Sequence, residues 1–247
     1  MNEINWQSWK CRCSLLSALF TEPQAKAARE AGELSETAKK ALYRSYIQTK
    51  WGRSKDIKTK QMDKGNLVQD EIMAMMSFFE DKTYTRNTER KSNEWIEGEC
   101  DCVHDLVDDY KASWEPESFI PNLIDPLSKD YFYQMQGYTW LWGKQKGRII
   151  WGLVNCPEMI LQNERKKLLF SLDVATDLDP KYQEAVGEME KNLIFDDIPM
   201  SERLIIANID RDEEIIAKIP QKVTKAREYL QYLDEKHQKM ARMVANT

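Results

Sequence analysis

The sequence predicts an α/β (α+β) fold, in which a mixed central β-sheet is flanked by helices. Helical and strand-like patterns follow each other in the order α-β-β-loop-α-β between residues 65 and 154. The 247 residues are 42% apolar and include eight tryptophans, so the chain can bury a sizeable core. A disordered or tail-like protein is therefore not expected.

The individual elements follow from hydrophobic periodicity and from the residues that start and end each segment. Ser35 is the expected N-cap of the second helix, and residues 55–63 are expected to form a flexible basic connector. In chain order we predict helices over 4–20, 35–50 and 65–80, a β-hairpin over 93–111, a loop over 119–129, a helix carrying Gln134 and Tyr138, and a strand over 149–154.

All residues are expected to form one domain, with a core over about residues 10–160 and a helical C-terminal extension over about 180–247. Residues 209–237 hold a long amphipathic pattern in which Pro220 opens the second part. No apolar run approaches the length of a membrane span, the first residues do not show the charged-then-apolar pattern of a leader, and the five cysteines are an odd number. We expect a cytoplasmic protein with no membrane partner and no disulfide framework.

Charge is divided unevenly along the chain. The net charge is −5, but residues 1–64 hold thirteen basic and seven acidic side chains. Two interpretations are open, a local positive rim that steers a polyanion or an ordinary solvated linker. The basic positions that lead into the third helix are Lys50, Arg53, Lys55, Lys58, Lys60 and Lys64.

Residues 98–111 carry the clearest functional signal, two aspartates and a lysine on neighbouring strands. Because side chains alternate faces along a strand, Asp109 and Lys111 are expected to point the same way and to converge with Asp101. Two carboxylates can hold a hard cation, and the cation lowers the pKa of a bound water and stabilises charge on phosphorus. The pattern favours metal-assisted phosphodiester hydrolysis, and the alternative is an exposed ion pair of little consequence.

The helix after residue 129 places Gln134 and Tyr138 four residues apart on one face, with Gln136 two residues off that face. Amide and phenol groups can donate to DNA phosphates or to a metal-bound water. The alternative interpretation is an aromatic-rich core helix with incidental glutamines.

Together these motifs resemble the PD-(D/E)xK nuclease superfamily, and within it the YqaJ-like viral recombinases, the group of lambda exonuclease and RecB-like nuclease domains. The resemblance covers roughly residues 10–160 and implies a restriction-endonuclease-like core with helical N- and C-terminal additions. The segments that carry it are Arg12-Cys-Ser14, the glycine-led helix from Gly65, Asp101, Asp109-Tyr110-Lys111 and Gln134-x-Gln136-x-Tyr138.

The resemblance implies a Mg²⁺-dependent DNA exonuclease, in which Mn²⁺ can substitute, that resects double-stranded ends in phage-type recombination. The partners it implies are DNA, a single-strand annealing protein and further copies of the chain in a ring-shaped trimer. In that family pattern the metal ligands would be Asp101, Asp109 and the Tyr110 carbonyl, and Lys111 would position the attacking water. Gln134, Gln136 and Tyr138 would hold the scissile strand, with Gln134 and Tyr138 in the catalytic set, and Arg12 and Ser14 would contact the terminal phosphate.

Two departures from the family pattern bear on the site. The family's helix acid is replaced by Gln69. Gln69 and Glu71 flank the apolar stripe of the third helix, whereas Asp70 points away from it. We expect Glu71 to be the replacement metal ligand, with Gln69 as a neutral ligand through its amide oxygen or as a DNA contact. Glu99, two residues before Asp101, would repel a 5′-phosphate.

Two other functions are open on the sequence alone. One is a structure-specific or restriction-like endonuclease, which would cut covalently closed circles. The other is a catalytically silent DNA-binding module of the same fold. The altered helix ligand favours the silent module, whereas the intact Asp101, Asp109 and Lys111 favour an enzyme.

Overall fold

The computed structural model describes residues 4–53 and 59–245 and has an α+β fold. Its strands are β1 (Cys11–Arg12), β2 (Lys91–Ser92), β3 (Ile96–Gly98), β4 (Cys102–Val103), β5 (Val107–Ala112), β6 (Lys146–Gly152) and β7 (Leu204–Asp210). Its helices are α1 (Leu16–Phe20), α2 (Lys26–Glu30), α3 (Glu36–Trp51), α4 (Lys60–Phe79), α5 (Pro116–Phe119), α6 (Lys129–Trp142), α7 (Glu158–Ser171), α8 (Pro180–Lys191) and α9 (Glu213–Ala245).

The larger of two sheets has the strand order β4-β5-β6-β7. β5 lies parallel to β6, while the outer strands β4 and β7 are antiparallel to their neighbours. The smaller sheet has the order β1-β3-β2, with β1 parallel and β2 antiparallel to β3. The predicted fold class is confirmed, and the arrangement is that of a restriction-endonuclease-like nuclease.

Helices cover both faces of the larger sheet, and β5 sends alternate side chains to each face. On one face, Val68 and Ile72 of α4 pack against Tyr110 of β5 and Ile150 of β6. The contact is close because a β-carbon on Gly152 would lie 2.5 Å from Ile72 Cγ1. On the other face α6 packs against the same two strands, through Met135, Tyr138, Val107 and Ile149. The middle of β5 is thus held between two helices.

The N-terminal region differs from the single helix predicted over residues 4–20. The Cys11 N–H donates to the Trp95 carbonyl at 2.9 Å, so the chain enters the smaller sheet as β1. Pairing with β3 holds these residues extended. For that reason α1 begins only at Leu16.

The second and third predicted helices are confirmed as α3 and α4. Ser35 caps α3 as expected, since its hydroxyl accepts the N–H of the residue three positions on. α4 begins at Lys60 rather than Gly65, because the Thr59 hydroxyl provides an N-cap that the sequence analysis did not use. Residues 55–58 of the predicted flexible connector lie outside the described residues, and residues 60–63 are not a connector, because they form the first turn of α4.

The hairpin predicted over residues 93–111 is divided between the two sheets. β4 and β5 form a hairpin in the larger sheet, whereas β3 belongs to the smaller sheet, where it pairs antiparallel with β2. A bend at Asp101 turns the chain from one sheet to the other. The loop predicted over 119–129 is partly helical, because α5 ends at Phe119 and a 3-10 turn follows it directly.

The C-terminal addition is mainly helical, as expected, but it also supplies β7, which the sequence analysis missed. β7 pairs with β6 along its whole length and completes the larger sheet. α9 continues through Pro220 and packs on the N-terminal region, where the Arg227 guanidinium donates to the Trp9 and Glu94 carbonyls. The two ends of the chain therefore meet on the same core.

The five cysteines are all buried and unpaired, as predicted for a chain without a disulfide framework. Buried thiols of this kind contribute as small apolar side chains. Within residues 4–53 and 59–245, no helix is both long and apolar enough to cross a bilayer.

Candidate active site

Two aspartates and a lysine meet where β4 and β5 lie side by side. Asp109 and Lys111 share one face of β5, as the alternation predicts, and Lys111 Nζ lies 2.6 Å from Asp109 Oδ2. Asp101 lies at the bend before β4, and its Oδ2 accepts the Tyr110 N–H at 2.6 Å. Because the N–H and C=O of a strand residue face the same side, the Tyr110 carbonyl also faces Asp101. These four residues form one group.

Asp109 has the properties of a carboxylate that holds a cation. Only 2% of the residue is exposed. Among the described residues no donor reaches its Oδ2 with hydrogen-bond geometry, although the Lys111 ammonium lies close to it. Burying such an oxygen costs free energy unless a further positive group, besides the Lys111 ammonium, lies next to it. Mg²⁺ prefers oxygen ligands of this kind, so the residues present fit a Mg²⁺ ion held by Asp101, Asp109 and the Tyr110 carbonyl.

Charges act strongly on each other inside this group. Burial raises the pKa of Asp101 to about 7, and the negative charge of Asp109 adds to the effect. Burial works to lower the pKa of Lys111, but the charge and contact of Asp109 outweigh it and raise that pKa above its ordinary value. Lys111 is therefore a stable ammonium, and Asp101 exchanges its proton near neutral pH. Such a group binds a divalent cation in competition with protons.

The two candidate helix ligands of α4 lie on opposite flanks. The Gln69 side chain lies close enough to Asp101 to oppose slightly the rise in the pKa of that carboxyl, and its Oε1 accepts from Arg86 Nη2 at 2.6 Å. Glu71 is exposed, partial burial raises its pKa, and in the described part of the chain Lys64 is the charged group that acts on it. The apolar stripe separates the two flanks, so only one of them can face the carboxylates. The structure brings Gln69, and not the expected Glu71, to Asp101.

α6 brings Gln134 and Tyr138 to the site. Gln134 Nε2 donates to the Tyr138 hydroxyl at 2.8 Å, and both side chains are buried. Burial raises the pKa of Tyr138, and the negative charge of Asp109 adds to the effect, so the phenol lies close to that carboxylate. The phenol therefore stays protonated beside Asp109.

Gln136 faces away from the site. It is fully buried, its Nε2 donates to the Asp210 carbonyl at 2.9 Å, and its Oε1 accepts the Asp212 N–H at 2.8 Å. Both ends of the amide hold the turn between β7 and α9. The expected DNA contact by Gln136 is corrected accordingly, because no part of its amide is left to bind a strand.

Arg12 and Ser14 lie at the Tyr138 end of the site. Both are exposed, and they flank the buried Cys13. A β-carbon on Gly98 would lie 2.7 Å from Tyr138 Cε1 and 2.8 Å from Cys13 Sγ, which shows how closely these groups pack. Arg12 Nε lies 3.9 Å from Glu97 Oε1, so its guanidinium is held beside β3.

Two residues at the site escaped the sequence analysis. The Tyr131 ring centroid lies 5.2 Å from Lys111 Nζ, and Arg86 joins Gln69 as well as Asp70, at 3.4 Å from the latter. Tyr131 precedes Gln134 by three residues, so helical spacing was a usable signal. Arg86 lies outside every motif, and its sequence position gave no signal.

A buried ion network lies on the opposite face of β5. The Arg148 guanidinium donates to both oxygens of the fully buried Asp108, at 2.8 and 2.6 Å, and to Glu80 Oε1 at 2.6 Å. His104 Nε2 lies 2.9 Å from Asp108 Oδ2. This network anchors the strand that carries Asp109.

The basic rim expected before the third helix is not continuous in the described residues. Lys50 and Lys60 each form an ion pair with a carboxylate at 2.7 Å. Lys64 is 1% exposed and donates to two backbone carbonyls. Lys55 and Lys58 lie outside the described residues.

Comparison with known proteins agrees with this geometry. A solved phage-related exonuclease from Haemophilus somnus 129PT is 29% identical, with a TM-score of 0.74 over 93% of this chain and 97% of that one. An alkaline exonuclease from Laribacter hongkongensis is 14% identical, with a TM-score of 0.61 over 95% and 98% of the two chains. Its complex with dAMP is also 14% identical, with a TM-score of 0.60 over 94% of each chain. No family profile and no curated protein matches the sequence significantly.

The first likeness extends over nearly the whole of both chains, and the second shows a shared fold. The motifs that carried the resemblance also meet in space, because Asp101, Asp109 and Lys111 form one group beside Gln69. The resemblance drawn from the sequence is confirmed: this chain is similar over nearly its whole length to a phage-related exonuclease, in agreement with a nuclease of the PD-(D/E)xK, YqaJ-like, lambda-exonuclease type.

Proposed function

We propose that this protein is a Mg²⁺-dependent DNA exonuclease that resects double-stranded ends. The observation that carries the proposal is the convergence of the buried Asp109, paired with the Lys111 ammonium at 2.6 Å, and Asp101 on one spot. The near full-length likeness to a phage-related exonuclease supports cleavage from ends. Phosphodiester hydrolysis suits such a group because developing charge on phosphorus needs positive groups aimed at it.

Asp101, Asp109 and the Tyr110 carbonyl would hold Mg²⁺, or Mn²⁺ in its place, and the bound ion would supply an activated water and charge stabilisation. Lys111 would remain an ammonium, because Asp109 raises its pKa. It would therefore donate a hydrogen bond to the attacking water or to a phosphate oxygen, and would not act as a free base. The Tyr131 ring would limit the positions open to this ammonium.

Gln69 would take the place of the family's helix acid. Its amide oxygen would replace a carboxylate, so the site would carry one negative charge fewer and hold the cation less tightly. Arg86, which donates to that oxygen in this structure, would have to release it first. The nearness of the Gln69 side chain to Asp101 is the observation that supports this role over Glu71.

Gln134 and Tyr138 would position Asp109 and not grip the DNA strand, because both are buried and bonded to each other. Arg12 and Ser14 would be the contacts to a terminal phosphate, since both are exposed near the Tyr138 end. The homo-oligomer and the annealing protein are proposals from the resemblance alone, and sedimentation of the purified protein tests the first.

Digestion of linear double-stranded DNA tests the proposal, with 5′-phosphorylated or unphosphorylated ends and with or without Mg²⁺. The parent should release nucleotides only with the metal, and Asp109→Ala should be slower by orders of magnitude. Gln69→Ala should also be slower. Glu71→Ala is a matched control on the same helix and should digest DNA at the parental rate.

Assays on covalently closed circular DNA and on the two helix variants can contradict the proposal in three ways. Cutting of circles at the rate of linear DNA would replace the exonuclease with an endonuclease. If the folded parent cleaves neither substrate with Mg²⁺ or Mn²⁺, the protein is instead a catalytically silent DNA-binding module. If Glu71→Ala is inactive while Gln69→Ala is unaffected, the assignment of the helix ligand is overturned.

A further inference from the structure

A surface of α3 and α9, outside the residues of the proposed active site, combines exposed aromatic rings with lysines. Trp51 is 50% exposed, Tyr232 49% and Tyr43 41%, which is far from the burial usual for such large rings. We name this surface the basic-aromatic face and define it by Lys40, Tyr43, Trp51, Tyr229, Tyr232 and Lys236.

The two helices present these residues side by side. Tyr43 and Tyr229 join them through their hydroxyls at 3.0 Å, and the Trp51 ring meets the His237 ring with centroids 5.4 Å apart. Along α9, Tyr229 stacks on Tyr232 at 6.0 Å between centroids. Spacings of three, four and eight residues place the members of each row on one side of their helix. The result is two adjacent rows of rings and cations.

The charge of these helices is opposite to that of the whole chain. α3 holds four basic residues against one acidic, and α9 holds seven against five, in a chain of net charge −5. Lys40 and Lys236 are exposed, and within residues 4–53 and 59–245 neither forms an ion pair. Glu228 and Glu235 are exposed on α9, and Glu36 of α3 lies near enough to Tyr229 to add to the rise that burial causes in the pKa of that phenol. The face is therefore an electropositive surface with open rings.

We propose that the basic-aromatic face binds single-stranded DNA. Exposed rings interleaved with cations are the chemistry that unpaired polynucleotides need, because bases stack on the rings while phosphates meet the lysines. Duplex DNA offers its phosphates but hides the faces of its bases, so it could use only half of this surface. The inference rests on the proposed function only in the choice of DNA as the polymer.

A second copy of this chain is the rival occupant of the face. Cores of protein interfaces are depleted in lysine, whereas Lys40 and Lys236 lie among the rings here. Lys236 Nζ lies 5.5 Å from the centroid of the Tyr232 ring, so charge and aromatic surface are mixed on the scale of single residues. This mixture favours a polyanion with stacking groups over an apolar partner surface.

Fluorescence anisotropy of a labelled oligothymidylate of about 16 nucleotides, in EDTA so that no strand is cut, measures the binding. Trp51→Ala/Tyr232→Ala should weaken it about 10-fold or more. Lys40→Glu/Lys236→Glu should reduce the slope of log affinity against log salt by about 1.4, since each phosphate contact gives about 0.7. Lys166→Glu/Phe170→Ala on α7 is the matched control, with Phe170 82% exposed, and should bind like the parent.

Digestion of short duplexes with Mg²⁺ separates this proposal from the proposed function. Both variants of the basic-aromatic face should cut short duplexes at the parental rate. If the parent itself cuts no duplex, that result contradicts the proposed nuclease function and not the binding of single-stranded DNA. Parental binding of the oligonucleotide by both face variants overturns the proposal, as does absence of binding by the parent. An oligomeric parent that the ring variant makes monomeric in sedimentation also overturns it, in favour of a second copy. The lysine variant decides the matter if loss of the rings unfolds the chain.

Discussion

Protonation of Asp101 should control the stability of the metal-free protein. Burial and the charge of Asp109 raise the pKa of this carboxyl to about 7 in the folded chain, whereas an unfolded aspartate titrates near about 3.9. Between these values the folded protein binds more protons than the unfolded chain, so the free energy of unfolding falls as the pH rises. The contribution of Asp101 is full below about pH 4 and is lost as the pH passes about 7.

The size of the effect follows from the two pKa values. Their separation of about 3 corresponds to at most about 4 kcal/mol, at about 1.36 kcal/mol for each pH unit. Asp101→Asn keeps the shape of the side chain and removes its titration. Urea denaturation in EDTA from about pH 4.5 to 8, on parent and variant, isolates the contribution because every other group is common to both.

The parent should lose up to about 3 kcal/mol relative to Asp101→Asn across this range, since the range begins above the pKa of the unfolded aspartate. Adding Mg²⁺ at about pH 8 should stabilise the parent, since the ion binds only the folded chain, and should stabilise the variant less. Parallel pH curves for the two proteins would refute the reasoning, because they would mean that folding does not change the affinity of Asp101 for its proton.

Three other changes have definite expected outcomes. Arg148→Met leaves Asp108 buried without its partner and should lower the free energy of unfolding in urea by about 3–5 kcal/mol; a loss below about 1 kcal/mol would contradict this. Lys111→Met should slow DNA digestion at least about 100-fold, while calorimetry should show Mn²⁺ affinity kept or increased, because the ammonium at Asp109 is gone. Burial lowers the pKa of Lys64 to about 8, so the stability of the parent should rise between about pH 8 and 10.4 and that of Lys64→Met should not; equal slopes would count against it.

Local periodicity was sufficient for the centre of the site. Alternation along a strand placed Asp109 and Lys111 on one face, and helical spacing placed Gln134 next to Tyr138. These relations involve residues two or four positions apart, where backbone geometry alone decides which side chains meet. Helical spacing also placed Gln69 and Glu71 on opposite flanks of α4, but which flank meets the carboxylates depends on how the helix packs on β5.

Contacts between distant segments decided the rest. Gln136 bonds the backbone of Asp210 and Asp212, more than seventy positions away, and nothing near Gln136 in the sequence indicates this. β7 was missed because it stands alone among helices, and its alternation has meaning only against β6. Arg86 reaches Gln69 from a segment without regular periodicity. In each case tertiary packing, not local propensity, determined the position.

The position of β7 also sets an order of events during synthesis. Asp101, Asp109 and Lys111 are all present once the chain has been synthesised as far as Lys111. β6 is synthesised later, and one of its edges stays unpaired until β7 follows. α9 then has to return to the N-terminal region, a long loop closure that slows assembly. Until β7 has been synthesised, the open edge of β6 is a point where chains can aggregate.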